Sequence, residues 1–189
     1  MKLWLIRHGR TRLSEEGRYQ GALDEGLSSA GRAELKKAPF CPQRVYVSPA
    51  LRARETAAIL FPRARQIEVP ALREMDFGAF EGRGWWEMAE DAEYRAWVDG
   101  SCRGRCPDGE DRAEFTARIC AAVAGILRAG EEEPVIVAHG GAMMALLEQR
   151  GEPERAYWQW QRPCGCGWLL EYEREKDRLT VVREVSFLK

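Results

Sequence analysis

Histidine is scarce in this chain: 189 residues carry only two, His8 and His139. Lysine is nearly as scarce, since five of the 29 basic residues are lysines and twenty-four are arginines. Neither sign of charge is in surplus, because 29 Lys+Arg stand against 30 Asp+Glu for a net charge of −1. A balanced total supplies no global basic field of the kind that drives non-specific nucleic-acid binding, so no nucleic-acid partner is expected. No apolar stretch approaches the ~18 residues of a membrane helix, so no membrane partner is expected either. The apolar run within Met1–His8 is too short for a signal peptide, and no small-residue cleavage site follows it. The six cysteines (Cys41, Cys102, Cys106, Cys120, Cys164 and Cys166) contain no CxxC pair, and neither histidine lies near one in sequence. Cys164-Gly-Cys166 could hold a metal only with help from elsewhere, and reduced thiols in a cytoplasmic protein are the simpler reading.

What is present is the composition of a soluble globular protein, 45% hydrophobic and 31% charged. The length fits one domain over 1–189 with a core that needs no disulfide staples. Residues 2–7, 44–47 and 134–138 read as buried strands, with 66–69 a weaker one. Ser28 or Ser29 can cap a helix to about Lys37, and Pro49 can open one through Leu60. Residues 110–129 place Phe115, Ile119, Ala122, Val123 and Ile126 at helical spacing. A helix over 141–150 and another over 153–160 follow, and 168–172 with 179–185 form a hairpin around Lys176-Asp177. Strands alternating with helices predict an α/β layered fold with a mostly parallel sheet. Glu131-Glu132-Glu133 is most simply a solvated loop.

The two histidines share one context. Leu3-Trp4-Leu5-Ile6-Arg7-His8-Gly9 and Val135-Ile136-Val137-Ala138-His139-Gly140-Gly141 each end an apolar strand on His-Gly. In open α/β sheets the carboxyl ends of strands are where ligands bind, and glycine there admits close approach. A single histidine so placed is more often a hydrogen-bonded structural residue; two, in a chain with no others, point to chemistry. Neutral imidazole is a competent nucleophile near neutral pH. Attack on phosphorus would need cationic donors for the phosphoryl oxygens. Arg7 adjoins His8, and Ser48-Pro49-Ala50-Leu51-Arg52-Ala53-Arg54-Glu55-Thr56 sets further arginines after the 44–47 strand. Taken alone, Arg52 and Arg54 also fit a solvated helix face.

Five motifs occur in one order: Arg7-His8-Gly9-x-Thr11, Arg18-Tyr19-Gln20-Gly21, Ser48-x-x-x-Arg52-Ala53-x-x-Thr56-Ala57, Leu72-x-Glu74-x-x-Phe77-Gly78-x-x-Glu81-Gly82 and Val137-x-His139-Gly140. This order resembles the histidine phosphatase superfamily, in its phosphoglycerate-mutase-like branch, over residues 2 to about 150. The resemblance implies a three-layer α/β/α fold and a phosphohistidine enzyme with neither metal nor cofactor. It implies that His8 is the nucleophile, and that Arg7, Arg52 and His139 form the phosphate pocket. Glu74 is implied to protonate the leaving alcohol and then to take a proton from water. Thr11, Ser14, Gln20, Gly21 and Gly140 complete the implied substrate contacts, and Glu81-Gly82 is read as organising a turn. Two positions depart from the pattern. Arg10 stands where an acidic residue is usual and is expected, with Arg12, to add positive charge beside the pocket. Ser14 stands where asparagine is usual, which shortens its reach.

Further features resemble the α-ribazole phosphatases: Glu74-Met75-x-Phe77-Gly78-x-Phe80-Glu81, Tyr94-x-x-Trp97, and Pro107-x-Gly109-Glu110 with Phe115-x-x-Arg118. That likeness implies a small phosphomonoester as partner, α-ribazole 5′-phosphate or the related cobalamin phosphate. Segment 83–110 reads as a lid carrying Trp85, Trp86, Tyr94 and Trp97, whose rings could stack a benzimidazole or pack the helix onto the core. Tyr157, Trp158 and Trp160 read as helix packing. Three alternatives stand beside the ribazole reading: a broad-specificity phosphatase, a cofactor-dependent phosphoglycerate mutase, and a non-catalytic phospho-ligand scaffold. The chain lacks the longer insertions typical of such mutases, and mere binding needs no nucleophile–acid pair. Oligomeric state is not legible.

Overall fold

The computed structural model describes residues 1–189. Its strands are β1 (Lys2–Arg7), β2 (Arg44–Val47), β3 (Arg65–Glu68), β4 (Val135–Ala138), β5 (Gly151–Glu152), β6 (Cys166–Glu173) and β7 (Arg178–Ser186). Its helices are α1 (Arg12–Glu15), α2 (Ser29–Glu34), α3 (Leu51–Leu60), α4 (Ala92–Asp99), α5 (Arg112–Arg128) and α6 (Gly140–Arg150). The seven strands form one sheet in the order β3-β2-β4-β1-β6-β7-β5. β3, β2, β4 and β1 pair parallel, β6 runs against both β1 and β7, and β5 is parallel to β7. Only β6 therefore opposes the rest, and the sheet is mostly parallel.

Alternation along the central strands divides the core between two faces. Leu3 and Leu5 of β1, with Ile136 and Ala138 of β4, pack with α5 and α6. Trp4 and Ile6, with Val135 and Val137, pack instead against Ala53, Ala57 and Leu60 of α3. Helices thus cover both faces, which is why β1 and β4 are near-continuous apolar runs.

The expected elements hold with local corrections. α2 stops at Glu34 instead of about Lys37, because Leu35 bridges to Leu188 and the Lys36 amide donates to Phe187 O. The helix expected from Pro153 is confined to a 3-10 turn, Tyr157–Trp160. Three residues per turn bring Tyr157 and Trp160 onto one buried face there, as the packing requires. Within the expected lid, α4 turns Tyr94 and Trp97 inward onto Tyr19 and Phe80, and both are under a tenth exposed. Tyr94 is therefore core instead of a stacking wall, with its hydroxyl bonded to that of Tyr19 at 3.0 Å.

Candidate active site

Because β2, β4 and β1 are adjacent and parallel, the residues that follow them come side by side at one sheet edge. Register pairs Arg7 with Ala138 and Val47 with Val137, so His8, His139 and Ser48 are neighbours. The two imidazole rings lie 5.3 Å apart, edge to face. His8 Nδ1 is 2.7 Å from Gly9 O. A carbonyl only accepts, so Nδ1 carries the proton and Nε2 keeps the lone pair a nucleophile needs. His139 Nε2 lies 2.7 Å from Ser48 Oγ, and that oxygen also accepts from the Ala50 amide at 3.3 Å. A Ser48 hydroxyl donating to Nε2 leaves Nδ1–H of His139 as a donor, and Nδ1 is buried with no partner in the protein.

Burial pulls the pKa of His8 well below the ordinary imidazole value; the charges of Arg52 and then Arg7 add to this, against the raising bond to Gly9. His139 is depressed likewise, first by burial and then by Arg52 and His8. Both rings are therefore neutral at physiological pH.

Four of the eight buried side-chain nitrogens without a partner belong to this site. Arg7 Nε, Arg52 Nε, Gln20 Nε2 and His139 Nδ1 all lack a partner. Unmet buried donors are rare in folded proteins, and four of them around two neutral imidazoles make a cradle for an oxyanion. The rest of each side chain is tied down. Arg7 Nη1 donates to Arg162 O at 2.7 Å. Fully buried Arg52 donates to Leu23 O at 2.9 Å and Gly21 O at 3.0 Å. Gln20 Oε1 accepts from the Thr11 hydroxyl at 2.6 Å, which directs its amide nitrogen away from that contact.

Glu74 faces this cradle from the loop after β3. The Gly141 amide at the start of α6 and its own neighbour Met75 donate to its carboxylate at 2.8 and 3.1 Å. Burial raises its pKa above the usual carboxylate range, in spite of those two bonds and the charges of Arg52 and Arg7. A Cβ on residue 141 would stand 2.4 Å from Glu74 Oε1, so any larger residue there would displace the carboxylate.

Arg7, His8, Ser14, Gln20, Glu74 and Gly140 line one cavity of about 350 Å³. Gly21 and Arg52 line a neighbouring one of about 490 Å³ that shares Glu74. Thr11 and His139 are fully buried behind them. Ser14 spends its hydroxyl on the α1 cap, accepting from the Thr11 amide at 2.9 Å and donating to Thr11 O at 2.8 Å. Arg10 and Arg12 do not enrich the pocket as expected: Arg10 pairs with Glu34, while Arg12 reaches Glu16 and Glu25 at 3.0 and 3.1 Å. Glu81 does more than shape a turn, since its carboxylate accepts from the Gly21, Ala22 and Phe77 amides at 2.8–3.0 Å. It thereby fixes the loop whose carbonyls hold Arg52.

Ser48 beside His139, Arg162 beside Arg7, and Arg112, Tyr157 and Trp158 on the cavity wall were not predicted from the sequence as part of the site. For Ser48 a signal existed, as it follows β2 just as the histidines follow β1 and β4. For the others, aromatic and arginine residues in a short segment carry no mark of which side they face.

The family description of the histidine phosphatase superfamily (branch 1) matches residues 3–185. The chain belongs to the histidine phosphatase superfamily. It is thus an enzyme of the histidine phosphatase class, and no helix in it is long and apolar enough to cross a membrane. This histidine phosphatase is 32% identical over 155 residues to a provisionally named phosphoserine phosphatase 2 of Hydrogenobacter thermophilus, covering 77% of the chain and 76% of that relative. It is 29% identical over 194 residues to the adenosylcobalamin/alpha-ribazole phosphatase of Escherichia coli, covering 96% and 95%. Among solved structures it resembles a phosphoglycerate mutase from Thermus thermophilus, with a TM-score of 0.75, 27% identity and coverage of 98% and 99%.

Proposed function

We propose that this histidine phosphatase hydrolyses phosphomonoesters through a phosphohistidine at His8, and that its substrate is α-ribazole 5′-phosphate or the related cobalamin phosphate. The observation that carries the mechanism is the pairing of a neutral His8, its Nδ1–H held by Gly9 O, with a carboxyl group, Glu74, whose pKa is raised.

In the first step His8 Nε2 attacks phosphorus and the bond to the alcohol oxygen breaks. Protonated Glu74 delivers its proton to that oxygen, since a bare alkoxide leaves poorly. Arg7, Arg52, Gln20 and His139 Nδ1–H hold the equatorial oxygens as charge spreads over them. In the second step ionised Glu74 takes a proton from water, the water oxygen bonds to phosphorus, and the P–N bond breaks to return His8 and inorganic phosphate. The orphaned donors supply the positive surroundings, so the cycle routes no step through a metal. The substrate reading is supported by likeness to a ribazole phosphatase along 96% of the chain. Six unpaired thiols support a cytoplasmic setting.

Phosphate release from α-ribazole 5′-phosphate, 3-phosphoglycerate and an aryl phosphate, compared between wild type and His8→Ala, tests this. The expected outcome is release by wild type, fastest on the ribazole ester, and a loss of at least about 10³-fold in His8→Ala. Equal turnover by both proteins would sink the assignment; isomerised phosphoglycerate would favour a mutase; a flat substrate profile would remove the ribazole proposal alone.

A further inference from the structure

Two side chains on the wall of the His8 cavity lie where a folded protein has least reason to leave them. Trp85 and Trp158 are 62% and 53% exposed, more than any other large apolar side chain in the molecule. Both line the cavity that contains Arg7, His8 and Gly140. Exposed apolar surface at the rim of a polar pocket marks a ligand-contacting surface.

Neither indole is carried on a loose segment. Trp85 opens a 3-10 turn, Trp85–Glu87. That turn is pinned by Glu87, which accepts from the Gly84 amide at 2.9 Å and takes both terminal nitrogens of Arg18 at 2.6 and 3.1 Å. Trp158 sits in the turn between buried Tyr157 and buried Trp160. Tyr157 is in turn clamped by the Arg112 guanidinium, 3.6 Å over its ring, and Arg112 is paired to Glu148. Two rigid aromatic faces presented from separate anchored turns suit a planar ring, because stacking tolerates any π face and ordering an indole costs few rotamers. An aliphatic chain would be served as well by leucine or isoleucine, which neither turn offers. The same cavity is lined by the polar Arg7, His8 and Gln20.

We infer that Trp85 and Trp158 form an aromatic subsite that selects phosphomonoesters whose alcohol carries a flat aromatic ring, the ring stacked on the indoles while the phosphoryl group sits at His8. This rests on the phosphatase reading of His8. Trp86 gives an internal control. It stands on the same turn and is 46% exposed, but it packs beside Arg18, 5.6 Å from its ring, outside the cavity lining.

The test compares two substrates that leave through the same primary ribose C5 oxygen, a benzimidazole ribonucleoside 5′-phosphate with the ring and ribose 5-phosphate without it, on wild type, Trp85→Ala, Trp158→Ala, Trp158→Phe and Trp86→Ala. Wild type is expected to favour the ring-bearing ester in kcat/KM. Each alanine variant of the pair should cut that ratio about tenfold, chiefly through KM, whereas Trp158→Phe and Trp86→Ala should keep most of it. A wild-type ratio near one, or a ratio that the alanine variants leave intact, overturns the subsite. If wild type hydrolyses neither ester, the phosphatase reading fails, and binding to His8→Ala protein decides the subsite separately. Quenching of indole emission by the ring-bearing ester, absent with ribose 5-phosphate and lost in Trp85→Ala and Trp158→Ala, would sustain it; no quenching would overturn it.

Discussion

At the scale of single residues the proposed mechanism works by differences in protonation. Burial keeps His8 neutral and so nucleophilic, while the same burial keeps a proton on Glu74 to a higher pH than an exposed carboxyl would hold it. The sign of the second effect has a cost. A carboxyl whose folded pKa is raised adds stability only below its ordinary value, and this is lost as pH rises through the folded one. At alkaline pH, once ionised, Glu74 therefore opposes folding. Glu74→Gln is expected to raise Tm there while cutting hydrolysis of an alkyl phosphate by about 10²–10⁴-fold. An aryl phosphate, whose alcohol leaves without a proton, should lose much less; thermal melts and paired kinetics check both. A variant less stable than wild type and equally slow on both esters would mean that Glu74 holds the loop and donates no proton. His8, Arg7, His139 and Glu74 were legible because each sits in a motif where its chemistry and its local backbone agree. The Ser48 hydroxyl offered only its place after β2, and that place does not say that its partner is the His139 ring, which depends on β2 pairing with β4.

At the scale of elements, the strand ends deliver Arg7, the histidines and Ser48, α3 delivers Arg52, and loops deliver Gln20 and Glu74. The loop that carries Glu74 is held by α5. Arg118 grips Glu110 at 2.9 and 2.7 Å and donates to the carbonyls of Ala71, Arg73 and Glu74 at 2.8, 3.0 and 3.4 Å. Arg118 is a positioning residue on this account, because it acts on the acid through the acid's own backbone. Arg118→Met should lower kcat on alkyl phosphates by up to about 10²-fold, the size of effect that a misplacement near 1 Å produces, with a smaller change in KM and a shifted pH profile. A purely structural role would lower Tm and move neither the profile nor the alkyl-to-aryl ratio. Strands and long helices could be read from periodicity, as α5 was within two residues of its bounds. The Tyr157–Trp160 turn could not, because a three-residue repeat of aromatics fits a helix and a 3-10 turn equally until the packing partner is known.

At the scale of the whole molecule, near-zero net charge conceals how the arginines are spent. Arg10, Arg12 and Arg18 neutralise acidic neighbours, and it is Arg7 and Arg52, each with a buried unpartnered nitrogen, that face the cradle. Composition could not separate these two groups; what does is that Arg7 and Arg52 have no carboxylate partner. Burial of the histidines makes stability depend on pH. Both histidines have folded pKa values below their ordinary one, so the unfolded chain takes up more protons as pH falls. Their contribution is complete above about pH 6.5 and is lost below it. Wild type should therefore melt at lower temperature at pH 5 than at pH 7.5, and His8→Gln/His139→Gln should narrow that gap; an unchanged gap would locate the acid sensitivity elsewhere. The central claim is that phosphorus passes through His8, and it is tested most directly by acid-free rapid quenching of wild type with a phosphomonoester, followed by intact mass and peptide mapping. The account predicts a single acid-labile, base-stable phosphoryl group on His8, accumulating in Glu74→Gln with an aryl ester and absent from His8→Ala. Steady turnover with no protein-bound phosphate at the earliest times, or phosphate on any other residue, would contradict it.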